Sequence, residues 1–511
     1  MTIKGVTISM ATITVGNTTT ANYSTIQEAI NAAKAGDTIT VSSGTYNEAI
    51  TINKSLTLLG AGANINPIEG GRSTGESILT GTYPVTITAS DVTLNGFEIQ
   101  GFRYGVNIPS SGFAEPSYLL QNINISYNWI HSTGAWVGIN AEPGTLRNYT
   151  ISHNIIFVSS TTNTDDPYAL AAISFSGGAT SSPTYENVTV SNNSITNLSN
   201  EYGIFAGADP SSYLINGITI SCNHFKNTST GSNFNIGNIL NGEFTNNVVE
   251  DTVGTIGISG GSITDNNFIN GGHLNLWGTE YGFTRPSANL NITNNIFSDE
   301  VFGLGIKIRT GSLSYTININ ENAFLNSNIG PSTPPDYSKG YLIINDGIGT
   351  VNATLNWWDS ELGVAGNSGE ISGAVTVAPY ISQNLIDPDS QVTSTCWPLS
   401  TLPDPQPGYY PLATTGISYI GKTQFKKCEC IILIARVSYT SGNGSGFPVE
   451  FNVCHRSYRT HTLPTGIAYV CLDRLSPGLY NGHICSGSLK TNFTFSVGGC
   501  STRTIQLPPQ N

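Results

Sequence analysis

Apolar and polar residues alternate in short runs along most of the chain, and one eight-residue phrase keeps returning. Its pattern is apolar, polar, apolar, polar, any, Asn, any, apolar. It is clean at Ile123–Ile130, Val188–Ile195, Ile218–Phe225, Leu290–Phe297 and Ile317–Phe324. Looser copies occupy Tyr149–Ile156, Gly242–Val249, Gly261–Phe268 and Val351–Trp358. The aligned asparagines are Asn128, Asn154, Asn193, Asn223, Asn247, Asn266, Asn295, Asn322 and Asn356, separated by 26, 39, 30, 24, 19, 29, 27 and 34 residues. Three alternating apolar positions make a half-buried strand. An Asn at a fixed place after it suits a bend, because Asn tolerates left-handed backbone and hydrogen-bonds its own chain.

A repeat of this length is one coil of a solenoid, stacked about 4.8 Å from the next. Equivalent Asn side chains then form a ladder along the axis. The variable gaps put insertions in loops, where added length costs little. The pattern predicts an all-β chain: a right-handed parallel β-helix over 23–385, with a short capping helix at its start. Ser24 to Gln27 reads as a capping box opening a helix over Ile26–Ala35. Residues 1–22 read as an N-terminal segment with a first strand.

Past the helix come Gly36-Asp37, Gly44-Thr-Tyr46-Asn-Glu48 and Lys54-Ser-Leu-Thr-Leu58-Leu-Gly60. This succession resembles the N-terminal cap and first coils of the pectin-lyase-like superfamily of right-handed β-helices, and Asn356-Trp-Trp358-Asp resembles the phrase that often ends such solenoids. The resemblance covers roughly residues 15–380 and implies a fold rather than an activity. From Ile386 the pattern stops. Residues 386–411 form a Pro-rich linker, extended and semi-rigid. Residues 412–511 read as short strands at sandwich spacing. The order there, Gly446-Phe-Pro-Val-Glu-Phe451, Gly466-Ile-Ala-Tyr-Val470 and Leu475-Ser-Pro-Gly-Leu-Tyr480, resembles bacterial immunoglobulin-like surface domains.

Composition sharpens this picture. In 511 residues only 10% are charged and 56 are Gly, which argues against a helical protein. The net charge is uneven. Residues 1–411 hold 11 Lys and Arg against 30 Asp and Glu, a balance of 11 − 30 = −19; residues 412–511 hold 9 against 3, or 9 − 3 = +6. The acidic part disfavours nucleic acid, which needs clustered cations. No apolar run is long enough to span a membrane. Met1 to Met10 lacks the apolar core of a secretory leader. Six cysteines, Cys428, Cys430, Cys454, Cys471, Cys485 and Cys500, are clustered like a disulfide framework of an oxidising compartment. Cys222 and Cys396 are left over and are candidates for an intermolecular bond.

The catalytic signals are weak. Glu250-Asp251 and Asp299-Glu300 share one phase of the repeat, and with one coil between them would lie about 10 Å apart, near the separation of an inverting glycosidase. The competing expectation is solvated loop acids. His131, His153, His224 and His273 have no metal-ligand spacing, and no cofactor motif is present. Trp129, Trp136, Trp277, Trp357 and Trp358 suit either stacking on sugars or filling the coil. These features point to a non-catalytic surface or structural protein that self-associates head to tail, with a polysaccharide-active enzyme or phage tailspike as the alternative and a glycan-binding adhesin as a third reading.

Overall fold

The computed structural model describes residues 11–378 and 414–497, apart from 70–74, 110–118, 143–144, 160–170, 176–183, 198–201, 207–213, 228–231, 251–252, 270–272, 278–287, 299–303, 310–315, 326–340, 348, 357, 359–369, 421–422, 426–430, 440–447, 454–455, 462–466, 473–477 and 487–488. The chain divides into two compact units between Trp397 and Pro398. The expected linker at 386–411 lies outside the described residues.

The first unit is a parallel β-helix. Each coil supplies three strands, as in Trp129–Ser132, Val137–Ala141 and Thr145–Ser152. These strands define a first, second and third face, and each pairs in parallel with its counterpart one coil on: Trp129 with Ile155, Val137 with Ala171, Thr145 with Thr184. The first face is an 11-stranded sheet. The other two join into a 24-stranded sheet, because Ser232–Thr245 and Val253–Thr264 run around the bend between them without a break. Alternation sends Ile123, Ile125, Tyr149, Ile151, Val188 and Val190 into the coil, all at most 1% exposed.

All nine repeat asparagines lie at the turn from the third face to the first, and each is at most 1% exposed. The ladder is continuous. The main-chain N–H of Asn128 donates to Oδ1 of Asn154 at 2.9 Å, and its Nδ2 donates to the same oxygen at 3.1 Å. The same pair of bonds recurs from Asn154 to Asn193, Asn223, Asn247, Asn266 and Asn295. From Asn295 to Asn322 both bonds are again present, at 2.9 Å each, and Asn322 donates likewise to Asn356. Each Nδ2 also donates to a main-chain carbonyl, as Asn295 does to Ile263 at 2.8 Å. Buried backbone groups that a bend would orphan are thereby paired.

The residue before each ladder Asn is left-handed. Tyr127, His153, Asn192, Cys222, Asn246, Asp265, Asn294, Glu321 and Leu355 all have φ between 55° and 60°. Six positions before the ladder stands a second left-handed column: Asn122, Asn148, Asn187, Gly217, Asn241, Gly260 and Asn289. Part of it forms an outer ladder, with Asn122 donating to Asp91 at 2.7 Å and Asn148 to Asn122 at 2.9 Å. Two residues after the ladder Asn, Phe268, Phe297, Phe324 and Trp358 stack inside the coil, with centroids 4.7, 5.0 and 4.8 Å apart.

The capping helix spans Ile26–Ala32 and is shorter than the sequence pattern suggested. Thr25, not Ser24, is the cap, and it accepts from the N–H of Glu28. Glu48 reaches the first turn from the connection between the strands Gly44–Tyr46 and Ile50–Ile52, its two oxygens accepting from Ile26 and Gln27 at 2.8 and 3.0 Å. A carboxylate suits the positive end of the helix, which gives a reason for the Gly-Thr-Tyr-x-Glu phrase.

The second unit contains an antiparallel sheet of Thr414–Tyr419, Ile431–Tyr439 and Ile467–Leu472. A five-stranded sheet orders Gln424–Phe425, Leu489–Val497, Gly478–Ser486, Pro448–Val453 and Arg456–His461, with the first pair parallel. Leu433, Ala435, Phe451, Ala468, Ile484 and Phe495 share one core between them. The strand Arg456–His461 was not expected, because its Arg-Ser-Tyr-Arg-Thr-His sequence lacks an apolar rhythm.

Candidate functional site

The corner where the first face turns into the second repeats its path over three successive coils. The N–H groups of Arg103 and Tyr104 donate to Thr82 O at 3.0 and 3.2 Å, and those of Trp136 and Val137 donate to Arg103 O at 2.7 and 3.1 Å. Equivalent positions therefore sit one above another. Gly105 and Gly138 permit the close approach. A Cβ at Gly105 would come 2.6 Å from the carbonyl oxygen of Gly138, and one at Gly138 would come 2.6 Å from that of Ala172.

This path puts Tyr104 level with Tyr83 and Trp136 level with Arg103, and so gathers three aromatic rings on the outside of the corner. Tyr83, 42% exposed, stacks on Tyr104 with centroids 5.5 Å apart and planes 12° from parallel. Trp136 follows at 6.0 Å, tilted by 57°. Tyr104, Trp136 and Arg103 are half-buried. The Arg103 guanidinium lies over the Trp136 ring, its central carbon 3.1 Å from the centroid, a cation–π contact. Among the described residues its donors have no acceptor, and its Nε is buried without a partner.

The outward side of the first face carries two polar groups. Glu98 accepts or shares a hydrogen bond with His131 Nε2 at 2.9 Å, and Trp129 stacks on the His131 ring at 4.5 Å. Three to four coils further on, His224 and Lys226 flank Glu250. His224 Nε2 lies 3.0 Å from one Glu250 oxygen and Lys226 Nζ 3.1 Å from the other. Glu250 and His224 are 3% and 4% exposed. Burial alone would raise the Glu250 pKa. The His224 hydrogen bond and the Lys226 charge outweigh it and hold the carboxyl well below its ordinary range. Glu250 is therefore a buried strand residue with both oxygens engaged, not the solvated loop acid expected from its neighbours. An ionised carboxylate pinned in this way is a poor proton donor. Asp251, Asp299 and Glu300 lie outside the described residues.

The other sequence candidates are dispersed. His153 stacks on Tyr127 at 4.6 Å. His273 begins the strand His273–Trp277, and the side chains of His273 and Trp277 lie outside the described residues, as does Trp357. Trp358 is fully buried and closes the aromatic stack, so it fills the coil. Among the described residues no group of three His, Cys, Asp or Glu is placed to hold a metal. Cys222 is half-buried at φ 57° and is engaged by a partner outside the described residues. Cys485, expected in the disulfide framework, instead carries a free thiol: its cross-strand neighbours are Glu450 and Lys490, not cysteines. Cys396, Cys428, Cys430, Cys454 and Cys500, and the side chain of Cys471, lie outside the described residues. Sequence reasoning singled out Trp136 but missed Arg103, Tyr83 and Tyr104. Their one signal is recurrence of aromatic or cationic residues just after each first-face strand.

Fold and corner together define a parallel β-helix with a partly exposed aromatic and cationic edge. Compared with known proteins, the chain matches no described family model and no curated protein sequence.

Proposed function

We propose that this chain is a non-catalytic structural protein of an extracellular, cell or spore surface. Its acidic solenoid is a rigid body, and its basic second unit, immunoglobulin-like in its sequence order, attaches it or joins it head to tail with further copies. One observation carries the reading: the buried Asn ladder runs through nine coils without a break. A spine in which every coil is bonded to the next suits a load-bearing or display role. The charge balance of −19 against +6 supports head-to-tail contact, which propagates unless its rotation closes.

A panel of neutral and acidic polysaccharides tests it. Incubation with the protein should release no reducing ends or unsaturated products above a heat-treated control, while electron microscopy should show rods or chains of rods. The second reading, a polysaccharide-active enzyme or tailspike, is favoured by the buried His224–Glu250 pair with the partly exposed Lys226 beside it. Product release that vanishes in Glu250→Gln would establish it and overturn the first.

A further inference from the structure

We infer that Arg103, Trp136, Tyr104 and Tyr83 form a lateral binding site for a neutral saccharide, laid along the solenoid axis. The cation–π contact covers one face of the guanidinium and leaves its in-plane donors at the edge. None of those donors meets an acceptor among the described residues, and Nε is already removed from water. An arginine so placed is short of acceptors. Arg147, on the same solenoid, shows the contrast, since it is paired with Glu186. Held flat by the indole, the Arg103 fork is preorganised, so little side-chain entropy remains to be lost when it bonds.

A pair of vicinal hydroxyls offers two acceptors at the spacing of such a fork. The aromatic rings supply the second requirement. Tyr83 and Tyr104 stack one coil apart at 5.5 Å, Tyr104 lies 6.0 Å from the Trp136 ring that carries the guanidinium, and the exposed Tyr83 ring offers a flat apolar surface to the C–H face of a sugar. Charge selects the ligand. A polyanion would meet the −19 balance of residues 1–411, whereas a neutral glycan meets no such repulsion. The site lies on the outer corner, away from the buried His224–Glu250 group, and binding there requires no chemistry.

Tryptophan fluorescence and affinity electrophoresis of the full chain test this. The probes are neutral gluco-, xylo- and manno-oligosaccharides, with polygalacturonate as the acidic control. At least one neutral series should bind with little dependence on salt. Tyr83→Ala, at an exposed ring, and Arg103→Lys, which keeps the charge but loses the fork, should each weaken binding about tenfold or more with an unchanged melting temperature. Trp136→Ala should abolish it. The inference is overturned if no neutral oligosaccharide binds at millimolar concentration. It is also overturned if only polygalacturonate binds, with steep salt dependence, or if Tyr83→Ala and Arg103→Lys bind as well as the parent.

Discussion

Two asparagines on neighbouring tracks of one coil show how much position decides. Asn295 is buried and joined to Asn266, Asn322, Ile263 and Thr293. Asn291, four residues earlier, is exposed and accepts from Asn318 at 3.0 Å. Asn295→Ala would leave the Asn266 N–H and the Ile263 and Thr293 carbonyls, main-chain groups on two coils, without their side-chain partner and should lower stability by about 1–3 kcal/mol. Asn291→Ala should change it by less than about 0.5 kcal/mol. Urea titrations of the two variants check the contrast, and equal effects would refute the ladder's importance. Glu250 makes a different case. Its folded pKa is depressed, so its contribution is fully present above its unfolded value, near 4.5, and fades as pH falls through the folded value. Glu250→Gln should therefore be less stable than the parent by about 3–5 kcal/mol at neutral pH. The gap should close progressively below about pH 4.5. A constant gap in melting curves down to pH 2 would contradict the ion pair.

At the scale of strands and turns, the aromatic stack ends on Trp358, which packs on Phe324 with planes 10° apart. Trp358→Ala removes the last stacked ring of a buried column and should lower solenoid stability by about 3–5 kcal/mol, as read by chemical denaturation. Phe at that position should recover most of the loss. The repeat was legible because one residue type, Asn, is needed at one phase for both its left-handed neighbour and its amide. The second left-handed column was harder to read. It keeps the ladder's own period but accepts Asn or Gly, as at Asn187 and Gly217, so no single residue type marks it. The start of the capping helix at Ile26 was legible, but its cap was assigned one residue early because Ser24 and Thr25 both fit an N-cap by type, and only the Thr25 hydroxyl meets the Glu28 N–H. The Arg103 corner was nearly invisible. Its residues lie 21 and 32 apart in sequence from Tyr83 to Tyr104 and from Tyr104 to Trp136, and share no motif; only the stacking of coils brings them together. Glu250 was misjudged because its partners are on a neighbouring coil, at His224 and Lys226.

For the whole molecule, the two units carry separate cores, one along the solenoid and one between the two sheets of the C-terminal unit. Separate cores melt separately, so calorimetry should resolve two transitions. If clustered cysteines of the second unit other than Cys485 are paired under oxidising conditions, reductant should lower one transition and leave the other in place. A single transition, or two that respond equally, would contradict that division.

The ladder also has a direction. Every side-chain bond runs from the lower-numbered asparagine to the higher, from Asn128 onward to Asn356. Asn356, with no later rung described, turns its Nδ2 back to the carbonyls of Ile319 and Ala353. A finished coil thus faces its successor with two unspent donors, and the successor arrives carrying the one oxygen that takes both. A chain leaving the ribosome amino end first meets that invitation in order. The spine can close like a zipper behind the emerging polypeptide, each rung serving as the template for the next.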